Sequence, residues 1–253
     1  MGSEMCIRDR VKNPTGEIEE LSDTAAGMAW KKPLVVLTSK FSASASEILA
    51  GAIQDYGRGL VVGDTTTHGK GTVQSLRNLS EVLTRIPNVP SKHGALKITT
   101  AQFYRPNGDS TQKRGVLSDL VLPSITDNME GIAEADLDFP VEFDRVRRAA
   151  FSPVTMINDS IISDLQAKSA ARMAASEDFV KLNRKIAKYV EQKKLKVISL
   201  NAEKYKARRE ELNADEEDKS LIEDQLDNDD SIERDFYLDE VLAIASDYMD
   251  LLK

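Results

Sequence analysis

Two short apolar runs constrain what this chain can become. Leu34-Val35-Val36-Leu37-Thr38 and Leu60-Val61-Val62-Gly63 are β-branched, free of charge and too short for helices, the pattern of buried strands. Between them Ala45, Ile48, Leu49, Ala52, Ile53 and Tyr56 recur at helical spacing, and Gly57 and Gly59 supply a stop. Strand, helix and strand in that order make a β-α-β unit, so the expected fold class is α/β.

The segments that follow extend the unit. Thr65 to Gly71 is a Thr- and Gly-rich loop, and Thr72-Val73-Gln74-Ser75-Leu76 alternates as a half-buried strand does. Ala95 to Tyr104 is rich in Thr, Ile, Phe and Tyr; Pro106-Asn107-Gly108 then signals a turn into an extended stretch around Gly115 to Leu122. Together these predict a small sheet. After about Phe151 the texture changes to charged Ala/Leu/Lys/Glu-rich stretches at helical spacing, as in Phe179, Leu182, Ile186 and Val190. The acidic runs Asp215-Glu216-Glu217-Asp218 and Asp227 to Asp230 read as solvated linkers or helix faces, and Phe236 to Leu252 as an amphipathic helix docked on its neighbours.

Three divisions are expected. Residues 1–10 have neither periodicity nor a turn code, read as an artificial lead and are set aside with Cys6. Residues 11–150 form the α/β core, whose polar opening from Val11 to Trp30 reads as the end of a region beginning further upstream. Residues 151–253 form a helical unit.

Composition narrows the function classes. At 253 residues and 41% hydrophobic, the chain can bury a sizeable core. Its net charge of −8 argues against a phosphate-binding surface, so nucleic acid is not an expected partner. One cysteine and two histidines leave no Cys/His cluster for a metal, and no cofactor is expected. No apolar run approaches a membrane span.

The segment Phe41-Ser42-Ala43-Ser44-Ala45-Ser46-Glu47 places small hydroxyl residues between a buried strand and a helix. A helix start has unpaired N–H groups and partial positive charge, so an oxyanion formed there would be stabilised by a donor such as the N–H of Ala45. Ser44 would sit at that point. Ser44-x-x-Glu47 is equally a capping box, and spacing alone does not choose among Ser42, Ser44 and Ser46.

A second segment, His68-Gly69-Lys70-Gly71-Thr72-Val73-Gln74, follows the second strand of the same unit. Glycines on both sides let the backbone approach its neighbours closely and hold a lysine in a crowded place. That matters because an ordinary lysine is neutral in only roughly one molecule in 2,500 at pH 7, and only the neutral amine accepts a serine proton. If a strand begins near Lys70, residues 70, 72 and 74 share a face, and Gln74 would orient the amine. A phosphate loop would need Lys followed by Ser or Thr, whereas Gly71 follows here. His68 with Asp55 is a weaker alternative to the lysine as base; both residues read more simply as structural or surface groups.

Jointly, Phe41 to Glu47, Gln54 to Gly63 and Gly69 to Gln74 resemble the carboxy-terminal processing proteases, most closely the tail-specific branch. The resemblance continues through Phe103-Tyr104-Arg105, Asn107-Gly108, Ser110-Thr111-Gln112 and Gly115-Val116, and more weakly at Val197 to Asn201. It implies a crotonase/ClpP-like β-α-β protease core with a C-terminal α-helical domain. It also implies Ser44 as nucleophile, Lys70 as general base, Gln74 as its partner and Asp55 as a supporting residue; Glu47 joins the support through its capping position. The implied activity is serine endoproteolysis of unfolded or tagged chains near their C-termini, in a periplasmic or otherwise extracytoplasmic setting, with adaptor or envelope proteins as further partners. The family's PDZ domain and upstream glycine loop have no counterpart in this sequence, so this chain alone is expected to be weak or inactive. Two other readings are a non-catalytic scaffold of the same fold and an acyl-thioester enzyme of the enoyl-hydratase kind.

Overall fold

The computed structural model describes residues 7–23, 27, 30–80, 93–194, 201–203, 206 and 234–252. The acidic runs at 215–218 and 227–230, residues 197–200 and the segment 1–6 with Cys6 lie outside the described residues.

The β-α-β unit forms as expected. Strand β3 (Val35–Thr38) leads into helix α1 (Ala45–Asp55) and back to strand β4 (Leu60–Gly63), and the two strands pair in parallel from Val35 opposite Leu60 to Thr38 opposite Gly63. Strand β7 (Leu120–Val121) pairs in parallel with the other side of β4, which makes β4 the centre of a three-stranded sheet.

Every residue of β4 is buried because both faces of its sheet are covered. Leu60 and Val62 pack with Leu120 and Leu122 against Leu165, Val241, Ile244 and Tyr248. Val61, pointing the other way, packs with Ala50, Val116 and Val36. Alternation along a strand thus sends one set of side chains to α1 and the other to the C-terminal helices, giving three layers.

The helices of the outer layer are α2 (Asp159–Ala175), α3 (Glu177–Lys194) and α4 (Phe236–Leu251). Asn158 caps α2 by accepting from the N–H of Ile161, and Asp235 caps α4 by accepting from that of Leu238. On α3, Phe179 is buried against the rings of Phe236 and Tyr237, with Leu182, Ile186 and Val190 half-buried along the same face. Helix α4 docks on the sheet, as its amphipathic pattern predicts.

A second sheet is antiparallel and ordered β2-β1-β6-β5, from β1 (Ile7–Lys12), β2 (Ile18–Ser22), β5 (Thr72–Asn78) and β6 (Ala95–Tyr104). Here the structure corrects the exclusion of residues 7–10. They belong to β1, which pairs with β2 and β6, and the Ile7 carbonyl accepts from the buried Tyr56 hydroxyl at 3.1 Å. The strand escapes a pattern search because its buried positions include Asp9 and Arg10; Arg10 donates to the carbonyls of Arg147 and Arg105, while its Nε is buried without a partner among the described residues. The extended stretch predicted over 115–122 shrinks to the two residues of β7: the N–H groups of Arg114 and Gly115 turn back onto the Thr111 carbonyl, and at Asp119 the Val61 N–H is taken by a side chain in place of a backbone carbonyl.

Candidate active site

The chain leaves β3 through a tight turn and enters α1 at Ser44. In that turn the Ser42 N–H donates to the Ser39 carbonyl at 2.9 Å, and the Ser42 hydroxyl accepts from the Ser39 N–H at 3.1 Å. Ser46 lies exposed in the first turn of the helix. Ser44 differs from both: it is the N-cap, with φ 59° and ψ −111°, and its side chain makes no capping bond. A non-glycine residue in that region is strained and is held only by its surroundings. The N–H of Ala45, just inside the helix, donates to no other group among the described residues, so it is free to meet an oxyanion.

What holds the strained serine is Glu47. Its side chain is 0% exposed and accepts four donors. Oε2 takes the N–H of Ser44 at 2.8 Å and that of Lys70 at 2.9 Å; Oε1 takes the Thr67 hydroxyl at 2.6 Å and the N–H of Gly69 at 2.7 Å. Beyond the Ser44 N–H, the remaining capacity of the carboxylate is spent on the lysine loop. Because the Ser44 and Lys70 amides meet on one oxygen, their backbones lie no further apart than those two bonds laid end to end. Burial pushes the Glu47 carboxyl above the ordinary glutamate range, and the donors from Thr67, Gly69, Ser44 and Lys70 pull it back part of the way.

The turn 110–115 grips the same loop from the other side. The Lys70 carbonyl accepts the Thr111 hydroxyl at 3.2 Å, the Gly69 carbonyl accepts the N–H of Lys113 at 2.8 Å, and the Gly71 N–H donates to Gln112 Oε1 at 2.9 Å. This closeness explains both glycines. Gly69 sits at φ 92°, and a Cβ on Gly71 would fall 2.7 Å from the Gln112 nitrogen and from the Ser110 hydroxyl. The lysine is fixed at its backbone while its half-buried side chain is left to do chemistry.

The other predicted residues separate. Asp55 is buried at the far end of α1, where its Oδ2 accepts Arg105 Nε and the N–H of Asn107, both at 3.2 Å; it braces α1 against the end of β6. Burial raises its pKa against the pull of Arg105. Gln74 does not share a face with Lys70 in the way alternation predicts. Strand β5 starts only at Thr72, the register slips between Val73 and Gln74, and Gln74 is exposed with no side-chain hydrogen bond among the described residues. The Nδ1 of His68 is buried without a partner among the described residues, and burial lowers the ring's pKa. Thr67, Thr111, Gln112 and Arg105 had no assigned role in the sequence reading. Ser110-Thr111-Gln112 stood out only as part of a resemblance, and bonds between residues so far apart in sequence leave no periodic trace.

Among the described residues no cluster of His, Cys, Asp and Glu is placed to hold a metal, and no helix is long and apolar enough to cross a membrane. What the arrangement offers is a strained hydroxyl, a lysine whose backbone is tied to the same carboxylate, and a free N–H at a helix start. Those are the parts of a nucleophilic acyl-transfer site.

Comparison with known proteins bears on the family. The model of peptidase family S41 matches residues 4–122, and the C-terminal domain of tail specific protease matches residues 128–250. The tail-specific protease of Haemophilus influenzae is 35% identical over 256 aligned positions, covering 95% of this chain and 36% of that protein. The carboxy-terminal-processing protease of Bartonella bacilliformis is 44% identical over 92 residues, covering 36% of this chain and 18% of its own. A solved structure of a photosystem II D1 C-terminal processing protease aligns with a TM-score of 0.39 at 31% identity, over 48% of this chain and 28% of that one. The chain thus spans little more than a third of the Haemophilus protein and less of the other two.

Proposed function

Residues 4–122 belong to peptidase family S41 and residues 128–250 to the C-terminal domain of tail specific protease, and from that membership we propose that the chain carries the catalytic portion of a serine endopeptidase working through Ser44 and Lys70. The observation that supports this most directly is the single Glu47 oxygen that accepts the amides of both residues.

In the proposed reaction, neutral Lys70 takes the Ser44 proton as Oγ attacks the peptide carbonyl carbon. The oxyanion forms against the Ala45 N–H. The ammonium of Lys70 returns the proton to the departing amine as the C–N bond breaks, leaving an ester on Ser44. Water, deprotonated by Lys70, then attacks that ester and frees the second product. Gln74 is assigned to orienting the Lys70 amine once the site is complete, Glu47 to holding both backbones, and Asp55 to bracing α1 through Arg105. Residues 11–150 would supply the core and 151–253 the helical domain.

The substrates we assign are unfolded or tagged protein chains cut near their C-termini, in a periplasmic or otherwise extracytoplasmic setting, with adaptor or envelope proteins as further partners. Strand β5 lies at the edge of its sheet directly after the lysine loop, so an extended substrate is expected to add there as another strand. The exposed, unbonded Gln74 favours a second reading, a scaffold that keeps the fold without turnover.

Cleavage of an unfolded, apolar-tailed protein separates the two. The chain is measured alone and with an upstream region of its relatives' length restored, beside Ser44→Ala and Lys70→Ala. The protease reading expects cleavage by the restored protein, its loss in both variants, and covalent capture of Ser44 by a fluorophosphonate. Cleavage that survives Ser44→Ala would sink it.

A further inference from the structure

Gln112 is fully buried, and its side chain ties the lysine loop to a turn outside the β-α-β unit. Its Oε1 accepts the N–H of Gly71 at 2.9 Å, and its Nε2 donates to Glu134 Oε1 at 3.0 Å. Glu134 opens a short 3-10 turn, Glu134–Asp136, and its own N–H donates to the His68 carbonyl at 3.0 Å. That turn therefore grips the loop at two points, two residues before Lys70 directly and one residue after it through Gln112.

The chemistry at the two ends fixes which side chain will serve. Gly71 presents a donor and Glu134 an acceptor, so the residue between them must accept at one atom and donate at another about one amide's width away. A glutamate there would set two carboxylates against each other in a buried place, and an apolar residue would leave the Gly71 N–H unpaired. The backbone geometry adds a demand for accuracy: Gly71 lies so close to the Gln112 backbone that the loop has no room to shift toward it.

We propose that Gln112 is a positioning residue for Lys70, setting the loop at the height at which the amine reaches Ser44, with Glu134 fixing the orientation of its amide. This rests on the reading of Lys70 as general base. A misplacement of about 1 Å at such a site can cost on the order of a hundredfold in rate, with little change in binding.

The test uses the upstream-restored protein and two readouts, kcat and KM for an unfolded substrate, and the rate at which a fluorophosphonate labels Ser44 as a function of pH. Gln112→Glu is expected to lower kcat by roughly ten- to a hundredfold, to leave KM within about twofold, and to move the alkaline-rising limb of the labelling profile, because the amine is displaced. The exchanged pair Gln112→Glu with Glu134→Gln keeps the acceptor on Gly71 and supplies the donor from the other side, and is expected to recover labelling and kcat to within a few-fold of the parent. Gln112→Met, which keeps the volume, should behave as Gln112→Glu does and should not be recovered by Glu134→Gln. A Gln112→Glu protein with the parent's kcat and profile overturns the proposal. So does an exchanged pair that melts like the parent but stays slow. If Lys70→Ala itself retains cleavage and labelling, the assignment of the base has failed instead, which the Gln112 series alone would not show.

Discussion

Around Lys70, backbone groups end on side chains drawn from α1 and the 110–115 turn, and the Thr67 hydroxyl donates to the same α1 carboxylate, each through a hydrogen bond of defined direction. Across the outer face of the parallel sheet, Leu60, Val62, Leu120 and Leu122 instead meet Leu165, Val241, Ile244 and Tyr248 through apolar contact. The first kind of packing accepts one residue type at each position, because an acceptor or donor cannot be approximated. The second accepts any residue of similar volume. The difference teaches where position is being controlled to fractions of an ångström and where bulk alone is wanted.

The sharpest way to break that contrast is Glu47→Ala. It leaves the N–H groups of Ser44, Gly69 and Lys70 and the Thr67 hydroxyl without their acceptor, and is expected to cost about 3–5 kcal/mol and all labelling of Ser44. A denaturant midpoint together with labelling of protein still folded at low temperature checks both parts. Should the folded remainder still label at the parent's rate, Glu47 is packing and not positioning.

Leu165→Ala comes next, at about 3 kcal/mol, from a cavity beneath the sheet. Here labelling of the folded fraction is expected to be unchanged, and Leu165→Met should restore most of the stability. A matching loss of labelling would mean that the two faces of β4 are not independent.

A smaller effect is expected at the polar rim of the same face. Arg172 lies between α2 and α4, with Nε 2.9 Å and Nη2 2.8 Å from the Glu240 carboxylate and Nη1 on Asp247, which Lys168 also reaches at 3.0 Å. Its side chain is a third exposed, so Arg172→Met is expected to lower stability by only about 1 kcal/mol in thermal melts.

The smallest is a difference of sign with pH. Burial raises the pKa of Glu47, Asp55, Asp64 and Asp119, so in the window from ordinary carboxylate values up to the raised ones the folded chain holds protons that the unfolded chain has released. Stability from these groups is greatest on the acid side of that window and declines as pH rises through it. Asp247 is the reverse. Burial works to raise it, but Arg172 and Lys168 outweigh burial and hold it low, so its contribution is present above the ordinary aspartate value and is lost as pH falls. Hydrogen exchange followed residue by residue should show the α1 region losing protection as pH rises above the ordinary carboxylate range, and the α2–α4 rim losing it as pH falls below the ordinary aspartate value.

How much of this was legible in the sequence follows from the same contrast. The apolar runs at 34–38 and 60–63 announced the β-α-β unit because burial on both faces demands an unbroken run. The helical spacing of 236–252 announced a docked helix for the corresponding reason. The neighbourhood of Ser44 was legible as a strand-to-helix junction, and Glu47 as a cap. That Glu47 reaches Thr67, Gly69 and Lys70, and that Gln112 reaches Gly71 and Glu134, was not, since such bonds follow from how distant turns are stacked. Gln74 shows the limit of periodicity: the spacing from Lys70 was read correctly as a number, but the slip between Val73 and Gln74 breaks the face that the number implied. Residues 7–10 were passed over because a strand with Asp9 and Arg10 turned inward carries no apolar signal.

The two-sided burial of β4 also imposes an order of events on a newly made chain. One face of the strand can be covered as soon as α1 has emerged, since Ala50 and Val61 are near neighbours in sequence. The other waits for Val241, Ile244 and Tyr248 in α4, far later in the sequence. Leu60 and Val62 therefore lack that cover until α4 has been made, and the strand that runs into the lysine loop is secured only then. A chain interrupted before Phe236 would carry Ser44 and Lys70 in full and still lack the layer that steadies the strand between them, so the timing of synthesis itself delays the site until α4 has emerged.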